Sequence, residues 1–414
     1  MANRPDGLPL HVRVEDFVVR NDELVVSGRL LTDIVGIAGR TPVYVYSREL
    51  IDGRIRRLRA ALPAEIHLHF AMKANPMPAV VQHISSRVDG LDVASAGELR
   101  VALAAGADPD RVSFAGPGKT IEDLTTAVAA AVTVNVESET ELNRLVTIGS
   151  ARGVRPRVAI RVNPDFELKS SGMKMAGGPK QFGIDAELVP DLLRRMKALD
   201  LDFQGFHVFS GSQNLRAEAI IEAQTKTVAL VTALSRDAPC PPRFVNIGGG
   251  FGIPYFPGEQ PLDVAPIGAH LHELVGIAAR DIPGATLVVE LGRYLVGEAG
   301  VYVARVIDRK ISRGRVFLVT DGGLHQHLAA SGNFGQVLRK NYPVLIGNRV
   351  ADGPRETATV VGPLCTPLDL LADNMELSRA EIGDLVVVFQ SGAYGLSASP
   401  VSFLSHPPPA ELLL

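Results

Sequence analysis

The sequence predicts an α/β protein: a (β/α)8 TIM barrel plus a β-rich domain built from the N-terminal segment and the C-terminal third. Three observations predict it. Between residues 66 and 291, eight short β-type runs alternate with helical stretches, the pattern of parallel βα units. After Gly297 the texture changes to β-rich segments. The first 40 residues also alternate apolar and polar side chains, as a half-buried sheet does. The expected domains are 1–40 as the N-terminal segment of the β domain, 41–293 as the barrel and 294–414 as the C-terminal β domain.

The eight expected barrel strands are 66–71, 91–94, 112–115, 132–137, 157–162, 203–209, 244–247 and 287–291. The intervening segments, such as 96–105, 121–130 and 217–235, carry alanine and leucine at helical spacing. An open doubly wound sheet shares much of this alternation, but eight consecutive units favour a closed barrel. In the C-terminal part, strands are expected at 301–307, 315–320, 357–361 and 384–389. Runs 10–19 and 24–31 are expected to pair with them. The segment 168–181, with its Gly, Lys and Met residues, reads as a lid or a solvated insertion.

Composition narrows the function classes. Lysine plus arginine total 42 against 45 aspartate plus glutamate, a net charge of -3, which gives no electrostatic footprint for nucleic acid or an anionic membrane. The first residues lack the apolar core of a signal peptide, and no apolar run is long enough to span a bilayer, so a cytoplasmic protein is expected. Two cysteines, Cys240 and Cys365, do not make a disulfide framework.

In a (β/α)8 barrel, reactive groups gather at the C-terminal ends of the strands. Lys73 follows strand one, Asp92 and Ser95 lie on or follow strand two, His207 lies in strand six, Gly248, Gly249 and Gly250 follow strand seven, and Glu290 ends strand eight. All face one mouth, a convergence stronger than any single motif. A lone lysine after a strand is most often a solvated surface group. Here it ends an apolar run and precedes Ala-Asn-Pro, so its stem is expected to be tucked into the mouth. Burial lowers an amine's pKa and frees its lone pair for imine formation, which makes this chain a candidate pyridoxal 5'-phosphate enzyme.

The run Gly248-Gly249-Gly250-Phe251-Gly252 offers unhindered backbone N–H groups for a phosphate, although glycine runs are also ordinary turns. Glu290 is placed to hold a pyridine nitrogen protonated, or else to pair with Arg293 as a structural ion pair. His207 can stack flat on a cofactor ring, against the default of a satisfied core histidine. Cys365 is either a proton donor or a small buried apolar residue. His325 and His327 sit at i, i+2, a spacing that supplies two metal ligands from one face of a strand. With no acidic or cysteine partner close in sequence, a substrate contact or a structural role ranks above metal, and no metal is expected.

On these residues the chain resembles the fold-type III pyridoxal-phosphate decarboxylases, the barrel-type diaminopimelate, ornithine and arginine decarboxylases. The motifs are Phe70-Ala-Met-Lys-Ala-Asn, Asp92-Val-Ala-Ser-Ala-Gly-Glu-Leu, Asn246-Ile-Gly-Gly-Gly-Phe-Gly, Glu290-Leu-Gly-Arg, Gly362-Pro-Leu-Cys and Gly392-Ala-Tyr-Gly. The stretch 321–343 resembles a subgroup found with exosortase-type export systems and a butirosin-type decarboxylase acting on a carrier-bound glutamyl group.

The resemblance implies that Lys73 holds the cofactor as an imine. It places Gly248, Gly249, Gly250, Gly292, Arg293 and Tyr394 around the phosphate, with Asp92, Ser95, His207, Ser210 and Glu290 also contacting the cofactor. It gives Cys365 reprotonation of the carbanion, delivered into a partner subunit's site in a homodimer. Candidate substrate contacts are Arg293, His325, His327, Asn333, Thr366 and Tyr394. The residue after the cysteine is acidic in diaminopimelate and ornithine enzymes, where it binds the distal amine, and here it is Thr366. Arg339 is the nearest arginine for a distal carboxylate. The motif after His207 reads Val-Phe-Ser-Gly, so in another register Phe209 takes the stacking place; the register with His207 is preferred. The expected reaction is α-decarboxylation of an amino acid or derivative, free or on an acyl or peptidyl carrier protein. The alternatives are a racemase, which Glu290 argues against, and a catalytically silent homologue that binds a protein partner.

Overall fold

The computed structural model of the protein describes residues 11–12, 14, 16–166, 173–174, 176–351 and 353–414. It divides into two compact units. One is Met1–Gly53, Ile253–Pro261 and Arg293–Leu414; the other is Arg54–Gly252 and Leu262–Gly292.

In the second unit eight parallel strands run in chain order around a barrel. They are β1 (His67–Ala71), β2 (Gly90–Val93), β3 (Val112–Phe114), β4 (Thr133–Val136), β5 (Arg157–Asn163), β6 (Asp202–His207), β7 (Phe244–Gly249) and β8 (Thr286–Leu291). The pairing of β8 with β1 and of β4 with β5 closes the ring. Each expected strand appears within a few residues of its place, because each is a short run, most of them rich in β-branched or aromatic residues, followed by a helical stretch. Ser95, Thr120 and Ser138 accept hydrogen bonds from the N3 backbone N–H of the helices Ala96–Ala104, Ile121–Ala129 and Glu139–Arg152. These caps stop the strand-to-helix connections from fraying and so fix where the catalytic end of each strand points.

A TIM-barrel interior is usually filled by aliphatic layers. Here a polar layer draws one side chain from each strand: His69, Asp92, Ser113, Asn135, Arg161, His207, Asn246 and Glu290. Much of it is hydrogen-bonded in sequence around the ring. His69 Nδ1 lies 3.2 Å from Asp92 Oδ1, Ser113 Oγ donates to the same oxygen at 2.5 Å, and Asn135 Nδ2 donates to Ser113 Oγ at 3.1 Å. Arg161 Nη1 reaches Glu137 Oε1 at 2.8 Å. Buried polar groups of this kind cost stability unless paired, so their presence at one level of the barrel marks a functional floor.

The other unit is β-rich. Its main sheet runs in the order Val344–Ile346, Leu385–Val388, Gly300–Ser312, Arg315–Thr320, Arg355–Val361, Leu370–Ser378, and Gly300–Ser312 also pairs with Val43–Tyr46. Ala410–Leu413 lies parallel to Val43–Tyr46. Leu24, Val26, Leu31 and Ile34 share one core with Val43, Val45, Val301, Val303, Leu385 and Val387, so both ends of the chain do build one domain. The division differs from a boundary at residue 41. Val43–Tyr46 is buried throughout and reads like a barrel strand, yet its hydrogen bonds go to Gly300–Ser312. Ile253–Pro261 likewise leaves the barrel unit. The expected strand 10–19 and the segment 168–181 lie partly outside the described residues.

Candidate active site

Lys73 sits in a single 3-10 turn, Met72–Ala74, directly after β1. Its Nζ lies 3.6 Å from Glu290 Oε1 at the end of β8. The amine is less buried than expected: the Lys73 side chain, in the 3-10 turn after β1, is 45% exposed. Glu290, in contrast, is buried. Burial alone pushes its carboxyl upward, but Lys73 and then His207 outweigh that and hold it well below the usual carboxylate range. Its Oε2 lies 3.2 Å from His207 Nε2 and accepts from Asn246 Nδ2 at 3.3 Å. The carboxylate is therefore ionised, held from behind by β6 and β7, and open toward the amine.

His207 does not take the stacking place that the preferred register gave it. It is 2% exposed, ends β6, and turns its ring to Glu290 within the barrel floor. The aromatic ring beside the amine is Phe209, whose centroid is 5.4 Å from Lys73 Nζ. The strand stops at His207, and Phe209 lies beyond its end.

The triglycine turn is glycine for two reasons. Gly248 and Gly250 have φ of +73° and +71°, a region that favours glycine. A Cβ at Gly249 meets Glu290 O at 2.0 Å, and one at Gly250 meets Gly211 O at 2.2 Å. The turn therefore packs on the end of β8 and on Gly211-Ser212, which brings the backbone of Ser212 against it. Ser95 caps a helix, and Asp92 anchors the floor network. Glu98, absent from the sequence candidates, accepts from Ala94 N at 2.7 Å; burial pushes its carboxyl up, with Lys73 opposing.

In the β-rich unit, the Arg293 guanidinium lies 4.9 Å from the Tyr394 ring centroid and 5.6 Å from that of Tyr255. Tyr342 packs on Tyr255 at 4.7 Å. Tyr255 was invisible to motif reading because it lies on Ile253–Pro261. Cys365 is exposed on the loop 362–369, and Thr366 uses its Oγ1 to accept from Leu368 N at 3.3 Å. Asn333 Nδ2 donates to Ser331 Oγ at 2.8 Å and to Leu368 O at 3.4 Å.

The two histidines are corrected as substrate contacts. Residues 324–326 form a turn, not a strand, and both rings are fully buried. His327 Nε2 is 2.8 Å from Ser391 Oγ and its Nδ1 accepts from Ala330 N at 3.3 Å; burial pushes its pKa down to about 3, so it is a neutral core group. His325 packs on the His406 ring at 5.0 Å, and burial, then His406, pushes it down to about 4. No group of three metal-ligating side chains occurs among the described residues. Arg339 donates from Nε to Ser331 O, from Nη1 to Asn341 Oδ1 and from Nη2 to Leu370 O, so it ties together the backbone around it.

A half-exposed amine, an ionised carboxylate opposite it, an aromatic ring beside the amine and a glycine turn on the adjacent strand suit a planar aromatic aldehyde bearing a ring nitrogen and a phosphate. Comparison with known proteins points the same way. Residues 48–297 match the family described as pyridoxal-dependent decarboxylase, pyridoxal binding domain. The chain is 40% identical over 380 residues to the L-glutamyl-[BtrI acyl-carrier protein] decarboxylase of Niallia circulans, covering 90% of this chain and 88% of that one. It is 32% identical over 398 residues to the diaminopimelate decarboxylase of Aquifex aeolicus, covering 95% and 91%. Among solved structures, AQ1208 from Aquifex aeolicus has a TM-score of 0.84 at 29% identity, covering 97% of this chain and 93% of that one.

Proposed function

This chain belongs to the pyridoxal-dependent decarboxylases, and from that premise we propose that Lys73 carries pyridoxal 5'-phosphate and that the substrate is an aminoacyl group tethered to a carrier protein. The activity is pyridoxal 5'-phosphate-dependent decarboxylation of an amino acid or amino-acid derivative. When bound, the cofactor supplies the electron sink that accepts the pair left behind as carbon dioxide departs. The observation that carries the assignment of Lys73 is its 3.6 Å approach to Glu290 across the adjacent strands β8 and β1.

The residues of this chain divide the remaining work. Glu290, kept ionised, orients and holds the proton on the ring nitrogen. His207 and Asn246 fix the far oxygen of that carboxylate. Phe209 supplies an apolar face that keeps water from one side. Gly248–Gly250 with Ser212 would cradle the phosphate through their backbone N–H groups. Cys365 returns the proton to the product carbon in a partner copy's site. The exposed apolar side chains Leu368, Val337 and Leu338, at 57%, 99% and 77%, support a second copy covering this part of the β-rich unit.

Two points support a tethered substrate. The N. circulans relative is named for one. The loop Gly362-Pro-Leu-Cys-Thr-Pro-Leu-Asp holds one acid, Asp369, and it is buried and bonded to backbone N–H groups, so this loop offers no free carboxylate to a distal ammonium. Carbon dioxide release from free amino acids and from the same residues loaded on a carrier protein tests the reading. It requires turnover of the loaded form well above the free one. Equal or higher turnover with a free diamino acid rejects it.

A further inference from the structure

Cys365 lies at the tip of a loop whose two ends are joined by Gly362 N donating to Asp369 O at 3.1 Å. The Asp369 side chain then ties this loop to another. Its Oδ2 accepts from Leu364 N at 2.8 Å, one residue before the cysteine, and its Oδ1 accepts from Leu324 N at 2.6 Å. Asp369 is 2% exposed. It sits in a notch that only glycine leaves open: a Cβ at Gly323 meets Oδ1 at 2.3 Å, and one at Gly362 meets Oδ2 at 2.4 Å. Asn333 adds a weaker tether through Leu368 O at 3.4 Å. One carboxylate thus spans two loops some forty positions apart in sequence, and each oxygen makes a bond of the charge-assisted kind, about twice as strong as a neutral one.

We propose that Asp369 is the positioning residue of Cys365, clamping the cysteine loop to the 322–327 loop so that the thiol is presented at a fixed height for proton return. The proposal rests on the reading of Cys365 as proton donor. A buried carboxylate that merely filled space needs no acceptor geometry for two backbone N–H groups from separate loops, nor two glycines facing it. Proton transfer demands placement within hydrogen-bond reach, so a loop free to wander by an ångström costs turnover without altering substrate affinity.

The test uses the holoenzyme and three variants. Asp369→Asn keeps one acceptor oxygen and Asp369→Ala keeps none. Amide hydrogen exchange at Leu324 and Leu364 is expected to speed up on the order of 10-fold in Asp369→Asn and more in Asp369→Ala, while strands of the main sheet are unmoved. kcat falls in the same order, by roughly 10-fold and then further, with KM within about twofold of native. Exchange at both amides within twofold of native in Asp369→Ala overturns the clamp, as does faster exchange with native kcat. Cys365→Ser separates the two readings: native turnover in that variant overturns the role of the thiol, and the exchange rates alone then decide the clamp. If Asp369→Ala does not fold, Asp369→Asn carries the same comparison.

Discussion

Replacing Glu290 by glutamine removes one negative charge and changes little else in shape. Its nearest cation, Lys73 Nζ, is 3.6 Å away. At an effective dielectric of ~20 that separation corresponds to roughly 4–5 kcal/mol. The lysine side chain is 45% exposed, and water screens such a pair to about 1 kcal/mol. The variant also escapes the burial penalty of the carboxylate, so folding stability is expected to change little. Catalysis is another matter. A hydrogen bond to a protonated ring nitrogen loses its ionic character: bonds to charged groups are worth about 1.5–3 kcal/mol against about 0.5–1.5 for neutral ones, a difference of about 1–1.5 kcal/mol. At 1.36 kcal/mol per decade, kcat falls roughly 5- to 13-fold. The assay is carbon dioxide release at saturating substrate, normalised to bound cofactor, with a thermal melt alongside. A Glu290→Gln enzyme that holds its cofactor and keeps kcat within threefold of native refutes the reasoning.

Three further outcomes follow from the geometry. His327, whose pKa is pushed down to about 3 by burial, stays neutral in the folded protein while the unfolded chain takes a proton below pH 6.5. Its stability contribution is full above pH 6.5 and is lost toward pH 3 at about 1.4 kcal/mol per pH unit, so His327→Gln flattens the fall in urea midpoint between pH 6.5 and 5. Phe209→Ala, read by cofactor titration and turnover, weakens cofactor binding by about 5- to 10-fold through lost apolar contact, whereas Phe209→Leu keeps most of it. Arg293→Lys keeps the charge but loses the planar stack on Tyr394 and Tyr255, and folding stability falls by about 1 kcal/mol, measured as a urea midpoint.

The barrel was legible because its signal is local: eight apolar runs, each bounded by a helix signal, leave little freedom in order or direction. Lys73, Glu290 and the triglycine were legible for the same reason, since the C-terminal end of a parallel strand is a fixed address. The domain boundary was not, because Val43–Tyr46 is as apolar as any barrel strand and only its pairing partners, Gly300–Ser312 and Ala410–Leu413, tell it apart. The choice between His207 and Phe209 was decided by where β6 stops, and strand ends are set by tertiary packing. His325 and His327 misled because an i, i+2 spacing has meaning only in a strand, and these residues form a turn around the neutral core imidazole of His327. Asp369 left no motif of its own: its partners are backbone N–H groups, which every residue but proline carries.

Reductive trapping tests the central claim most directly. The holoenzyme is treated with borohydride, digested, and the peptide bearing the reduced cofactor is identified by mass. The modification is expected on the peptide containing Phe70-Ala-Met-Lys73-Ala-Asn and nowhere else. A modification on any other lysine, or an unmodified Lys73 in an enzyme that retains full cofactor and turnover, contradicts the account.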